Sequence, residues 1–187
     1  MKLNPAVALL VVLAACNSAP SAPATDASKP AVDSAAMKAI RSPYDIRYSS
    51  KFEMDDPKNA ETVLALWKAY DNGDLNVGKD MIADSIALYL ANGAAIHTSR
   101  DSATASVQAV RNSFKAVEDR VDAVMAIKST DRNEHWVLIW GTEVDTHKDG
   151  KIDSTQLQET WRFNSSGKAD LLYQFARPPL PPAPKKK

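Results

Sequence analysis

The chain has 187 residues with 23 basic and 23 acidic side chains, a formal net charge of 0 at pH 7, so no global field draws it to nucleic acid and no nucleic-acid partner is expected. Its single cysteine, Cys16, rules out an internal disulfide.

In chain order, Met1-Lys2-Leu3-Asn4-Pro5 forms a short, barely positive start, and residues 6–15 are apolar and end in small side chains. That run has secretory length. It is well short of the ~20 apolar residues a membrane-crossing helix needs. Leu13-Ala14-Ala15-Cys16 resembles the lipobox of bacterial lipoproteins. The resemblance implies cleavage before Cys16 and lipidation of its sulfur, and hence a membrane partner reached through the lipid. It also implies a place in the bacterial cell envelope, with Asn17 and Ser18 fitting the outer membrane, facing the periplasm, by analogy. The other reading is an ordinary signal peptide cut after an Ala-x-Ala-like site.

Residues 16–43 are dominated by Ala, Ser, Pro, Thr and Asp, a composition with too little apolar surface to offset the entropy of ordering, and are expected to be a flexible tether. Residues 178–187 are a proline-rich, polyproline-like tail ending in three lysines. Residues 44–177 remain, a suitable size for one domain with one core.

Within that domain, Asp55-Asp56-Pro57 is a helix start, with an acidic cap and a proline whose missing N–H costs nothing there. Ala60, Val63, Leu64 and Trp67 follow at helical spacing, and Asp71-Asn72-Gly73 ends the helix. A short second helix fits residues 77–83 and a strand fits residues 85–90, broken at Asn92-Gly93. A third helix is expected after Asp101-Ser102, with Val107, Val110, Phe114 and Val117 on one stripe. Strands are then expected over 121–127, 135–146, 154–164 and 169–176. The last three are joined by hairpin turns at 148–151 and 164–168. Helices first and antiparallel strands afterward give an α+β class with helices packed on one sheet face.

This order resembles the NTF2-like (SnoaL-like, cystatin-like roll) superfamily. The local matches are the helix at 61–73, Ala83-Asp84-Ser85-Ile86 entering the first strand, and Trp140-Gly141-Thr142. Residues 159–168 (ETWRFNSSGK) match the last hairpin, and Tyr173-Gln174-Phe175-Ala176-Arg177 the terminal strand. The resemblance covers about residues 55–177 and rests on the order of these pieces, not on one diagnostic motif. It implies a cone-shaped roll, with two or three N-terminal helices packed on a curved, mostly antiparallel sheet around a pocket. Its members include isomerases, dehydratases and polyketide cyclases as well as binding domains, so function has to be argued from the site.

Alternation along the third long strand puts Leu157, Glu159, Trp161 and Phe163 on one face, opposite Gln158, Thr160 and Arg162. A carboxylate on that apolar face would be desolvated and its pKa raised, which makes Glu159 the candidate general base or acid. The competing readings are an ion pair or a place at the pocket mouth. Trp140, Trp161 and Tyr173 are candidate aromatic pocket walls, or core packing, and Tyr89 and Asp84 are weaker candidates of the same kind. His97, His135 and His147 lack metal-site spacing, and no nucleophile-elbow motif supports a Ser–His–Asp triad. Residues 145–156 mimic a calcium loop at Asp145, Asp149, Gly150, Ile152 and Asp153, but His147 replaces an oxygen ligand, Gln156 replaces the bidentate glutamate that closes such a site, and the flanks read as strands. No metal and no cofactor is expected.

The leading functional reading is a lipid-anchored envelope protein whose domain binds a small apolar or amphipathic molecule or serves as an accessory module. One alternative is an isomerase, dehydratase or cyclase using Glu159 as base, with Tyr173 or Trp140 positioning substrate. It requires Glu159 to be buried in an open pocket beside a second polar group. The other is a homodimeric interaction module, since the resemblance implies pairing through the outer sheet face, where Gln156, Gln158 and Thr160 would meet a partner.

Overall fold

The structure is a computed structural model that describes residues 40–177. The expected signal peptide, Cys16, most of the tether and the proline-rich tail lie outside the described residues.

Strand β1 (Phe52–Met54) precedes helix α1 (Pro57–Asn72). The Asp56 side chain accepts from the Lys58 N–H at 2.9 Å, Pro57 occupies the first turn, and Gly73 closes the helix at φ 77°. Ala60, Val63 and Trp67 form the buried stripe. The short helix expected at 77–83 is a 3₁₀ helix at Leu75–Met81, capped by Asp74, whose side chain accepts from the Asn76 N–H. Strands β2 (Ile82–Tyr89) and β3 (Ala95–Ser99) flank the Asn92-Gly93 turn, and helix α2 (Arg100–Arg111) starts on a Ser99 cap.

Helix α2 ends earlier than its apolar stripe suggested. Val107 and Val110 are helical, but Phe114 and Val117 belong to strand β4 (Phe114–Ser129). Asn112 caps the helix and the Ser113 hydroxyl donates to the Val110 carbonyl at 2.6 Å, so the hydrogen bonding of the last turn is completed before Phe114. The β-branched Val117, Val121 and Val124 then suit a strand. Strands β5 (Glu134–His147), β6 (Ile152–Phe163) and β7 (Ala169–Arg177) follow. Their hairpin turns lie where expected, with Gly150 and Gly167 at positive φ.

Among the described residues, seven strands form one sheet in the order β1-β4-β5-β6-β7-β2-β3. Every pairing is antiparallel except β2 with β7. Register shifts interrupt β4 between Phe114 and Ala116 and between Val121 and Ala123, and such bulges bend a sheet. The helices pack on one face of the sheet. There Val63, Trp67, Ile86, Leu88, Val137, Ile139, Trp161, Phe163 and Leu172 make one core with neighbouring side chains. Each completely buried Val or Ile contributes roughly 1.5–3 kcal/mol of apolar transfer.

Candidate functional site

Between α1, the 3₁₀ helix, α2 and the inner sheet face lies a cavity of about 290 Å³. Leu66, Ile82, Leu88, Val107, Leu157 and Leu172 are among its apolar walls. Its polar lining comes from Asp119, Glu143, Glu159, Gln174, Thr104, Tyr70 and the two indoles, Trp67 and Trp161.

Glu159 is 5% exposed, on the core face where alternation put it, with Leu157, Trp161 and Phe163. Its Oε2 accepts from Trp67 Nε1 at 2.7 Å and from Trp161 Nε1 at 2.9 Å, and its Oε1 accepts from Gln174 Nε2 at 2.9 Å. Burial pushes its pKa up, and the three N–H donors pull against that shift by favouring the anion. One carboxylate therefore fixes the orientation of two aromatic walls and one amide wall.

Trp67 can reach Glu159 because it passes over Gly141. A Cβ at position 141 would lie 2.8 Å from Trp67 Cζ3 and 2.6 Å from the Arg120 carbonyl oxygen. Farther along the same face of β5 come Glu143 and Asp145, and Asp119 of β4 is the direct cross-strand partner of Glu143. The Asp119 N–H donates to Asp71 Oδ1 at 2.8 Å, which ties β4 to the end of α1. Asp119 Oδ1 is buried without a hydrogen-bond partner.

Burial, reinforced by the charges of Glu143, Asp71 and Glu159, pushes the Asp119 carboxyl up to about 8. Burial and the charges of Asp145, Glu159 and Asp71 likewise push Glu143 up to about 8. Asp145 is also raised by burial, while its hydrogen bond with Glu143 opposes the shift, the pattern of two carboxyls sharing a proton. Burial and these negative charges hold the Tyr70 phenol above its ordinary value, so it stays a neutral donor at physiological pH.

Of the pocket candidates read from the sequence, Glu159 and Trp161 line the cavity, whereas Trp140, Tyr173, Tyr89 and Asp84 do not. Trp140 lies on the outer sheet face, in a shallow groove with Gln156, Gln158 and Phe175. Strand β5 is apolar on both faces, with Trp136, Leu138 and Trp140 outward and Val137 and Ile139 inward, so alternation did not reveal which set faces the helices. Tyr173 and Tyr89 are also off the cavity. They pair in register and stack at 4.8 Å between ring centroids, and the Tyr89 hydroxyl lies 3.3 Å from His97 Nε2. The Asp84 side chain is 95% exposed and pairs with Arg100 at 3.4 Å. Alternation in the sequence does not mark Asp119 or Glu143. Asp119 shares a strand face with Val117, a signal lost once Val117 is assigned to a helix, and the bulge between Val121 and Ala123 shifts the alternation beyond it. His147 bonds Asp153 across the β5–β6 hairpin at 2.8 Å. Among the described residues no group of three His, Cys, Asp or Glu side chains is placed to hold a metal.

Solved structures superpose on this arrangement. AusH from Aspergillus nidulans matches with a TM-score of 0.53 at 15% identity, over 67% of this chain and 87% of that one. A putative SnoaL-like polyketide cyclase from Shewanella denitrificans matches with a TM-score of 0.53 at 12% identity, over 65% and 92%. The fold is NTF2-like. A third similar structure is the epoxide hydrolase/cyclase-like enzyme SalBIII, with a role in pyran ring formation in polyether salinomycin (TM-score 0.54, 12% identity, 66% of this chain and 93% of that one). No family model and no curated protein matches the chain. At these identities the likeness is one of NTF2-like architecture, and the chemistry has to come from the cavity itself.

Proposed function

We propose that the domain binds a small, largely apolar molecule in the cavity and moves a proton on it, as an isomerase or cyclase does, with Asp119 and Glu143 as the acid–base pair. The observation that carries this is their placement. Two carboxyls sit directly opposite on adjacent strands, in the lining of a largely apolar cavity. A group titrating near the working pH can both accept and return a proton, and these two are held there by burial and by neighbouring carboxylates, Glu143 acting on Asp119 and Asp145 on Glu143. Tyr70 would donate to an oxygen on which negative charge develops. Glu159, the base expected from the sequence, has both oxygens engaged by N–H donors and in this reading shapes the pocket. The similarity to SalBIII and to a putative polyketide cyclase is consistent with the reading.

The test is α-proton exchange. With 2-decalone in D2O, the chain should accelerate deuterium uptake beside the carbonyl, and Asp119→Asn with Glu143→Gln should reduce the enzymatic rate at least tenfold. Uptake no faster than in buffer would overturn the proposal.

We further propose that the domain is held at the bacterial envelope, at the outer membrane facing the periplasm, by lipid on Cys16. The support is the lipobox-like Leu13-Ala14-Ala15-Cys16 directly after the apolar run. Cys16→Ala should abolish palmitate incorporation, and persistent labelling would refute the anchor.

A further inference from the structure

We propose that residues 40–48 are a contact surface for an anionic phospholipid bilayer, with Ile40, Tyr44 and Ile46 entering the headgroup layer and Arg41 and Arg47 meeting lipid phosphates. The cavity plays no part in this. The envelope reading given above enters only in the choice of partner.

Charge is unevenly divided along the chain. Residues 40–51 carry Arg41, Arg47 and Lys51 against Asp45 alone. The folded body, residues 52–177, carries 14 basic and 20 acidic side chains, a net of −6. A chain that is neutral as a whole therefore has an acidic domain led by a basic strap. An anionic surface repels the first and attracts the second. Arg41 and Arg47 are exposed, and neither forms an ion pair among the described residues.

Large apolar side chains are interleaved with these charges. Tyr44 is 81% exposed, Ile40 61% and Ile46 46%. Single exposed apolar residues are ordinary on a protein surface. Three within one short stretch, set among arginines, have the composition of a segment lying in a bilayer interface. There tyrosine rings sit at headgroup depth, and arginine heads reach the phosphates over their apolar stems. A nucleic acid would engage the arginines but would give the isoleucines nothing to bury against.

The strap is fastened to the domain at one end. Arg132, in the β4–β5 turn, donates through Nε to the Tyr48 carbonyl at 2.9 Å and through a terminal nitrogen to the Arg47 carbonyl at 3.3 Å. Its guanidinium lies 4.2 Å over the Tyr48 ring, which meets Trp136 of β5 edge-on at 5.9 Å. Ser49 Oγ donates to Asp131 Oδ1 at 2.6 Å. Upstream, Ser42 Oγ accepts from the Tyr44 N–H at 3.0 Å and donates to the Tyr44 carbonyl at 2.9 Å, so Tyr44 stands on a closed turn. The grip falls on residues 47–49 and leaves the apolar side chains before them uncovered. Cys16 lies 24 residues before Ile40, so a lipid there would hold the strap at high local concentration beside the bilayer.

Vesicle co-sedimentation tests this on residues 16–187 with Cys16→Ser, which keeps every described residue and removes both the lipid and the apolar run 6–15. Vesicles of phosphatidylcholine with one quarter phosphatidylglycerol should bind the protein at least tenfold more tightly than phosphatidylcholine alone, and salt should shrink the difference. Arg41→Glu with Arg47→Glu should abolish the preference. Tyr44→Ser with Ile46→Ser should weaken binding to the anionic vesicles at least fivefold. All four side chains are exposed, so a thermal melt should match wild type in both variants. Replacing Lys185, Lys186 and Lys187 by alanine should leave the preference in place. Equal binding to the two vesicles, a preference that survives the double arginine change, or one that disappears with the three lysines would each overturn the proposal. None of these results bears on the cavity or on the lipid at Cys16.

Discussion

Trp67 occupies the space that a side chain at position 141 would need. The indole lies against Gly141 while its N–H reaches Glu159 at 2.7 Å. The floor of the cavity therefore depends on the absence of a methyl group. In Gly141→Ala the new Cβ would meet the Arg120 carbonyl oxygen at 2.6 Å, and backbone in the middle of a sheet cannot swing aside as a side-chain tip can. Overpacking of this kind costs about 1–3 kcal/mol. We expect a lower midpoint in urea unfolding and altered tryptophan fluorescence as Trp67 leaves Glu159. An unchanged midpoint would mean that the sheet yields freely there.

The carboxyl cluster sets a pH dependence of stability. Asp119 and Glu143 have folded-state values of about 8, above the ordinary carboxylate range, so the folded protein holds protons that the unfolded chain releases. Their contribution is fully present below the ordinary range and is lost as the pH rises through about 8. Unfolding free energy should therefore fall between pH 5 and pH 8.5. Glu159 and Asp145, also raised, add to the same trend. Asp55 is shifted the other way by its bonds to His135, Asn59 and the backbone, against its burial, and its contribution is lost only at the acid end. In Asp119→Asn with Glu143→Gln the slope should be shallower and stability at pH 8.5 higher. A slope equal to wild type would show that these two carboxyls are not the groups responsible.

Much of the fold was legible because its signals are local. The Asp55-Asp56-Pro57 start, the Gly73 stop and the hairpin glycines Gly150 and Gly167 each depend on a few neighbouring residues. The face of β6 was legible too, because Leu157, Trp161 and Phe163 alternate with polar residues and carry Glu159 inward with them. Strand β5 offers no such contrast, being apolar on both faces, and Trp140 faces outward and not into the pocket. Asp119 was hidden for a different reason. Its inward direction depends on where α2 ends and on a bulge two residues later, both fixed by tertiary packing and strand pairing. The short strands β1 and β3 form only by pairing with β4 and β2, segments distant or turned back in the chain, and three to five residues carry little periodicity of their own.

Thr104 makes the opposite kind of prediction. Its hydroxyl is buried without a hydrogen-bond partner, which costs stability. Thr104→Val replaces that hydroxyl with a methyl group of similar shape, and relief of an unmet hydrogen bond is worth about 1–3 kcal/mol. The variant should melt higher than wild type. A lower melting temperature would show that the hydroxyl is satisfied in solution.

Glu159 separates shape from charge. Glu159→Leu removes the acceptor for Trp67, Trp161 and Gln174 together and leaves three donors in an apolar site. At about 1–3 kcal/mol for each unmet buried donor, this is among the most damaging single changes available to a domain of this size. Glu159→Gln retains a carbonyl oxygen that can accept both indole N–H groups, but its amide nitrogen turns a second donor toward Gln174. Flipping the Gln174 side chain presents that residue's oxygen instead and restores the contact. We therefore expect Glu159→Gln to fold with a loss near 1 kcal/mol, read from urea unfolding, and to retain deuterium exchange on 2-decalone within a few-fold of wild type. A folded Glu159→Gln protein with exchange abolished would return the proton-transfer role to Glu159 and remove it from Asp119 and Glu143.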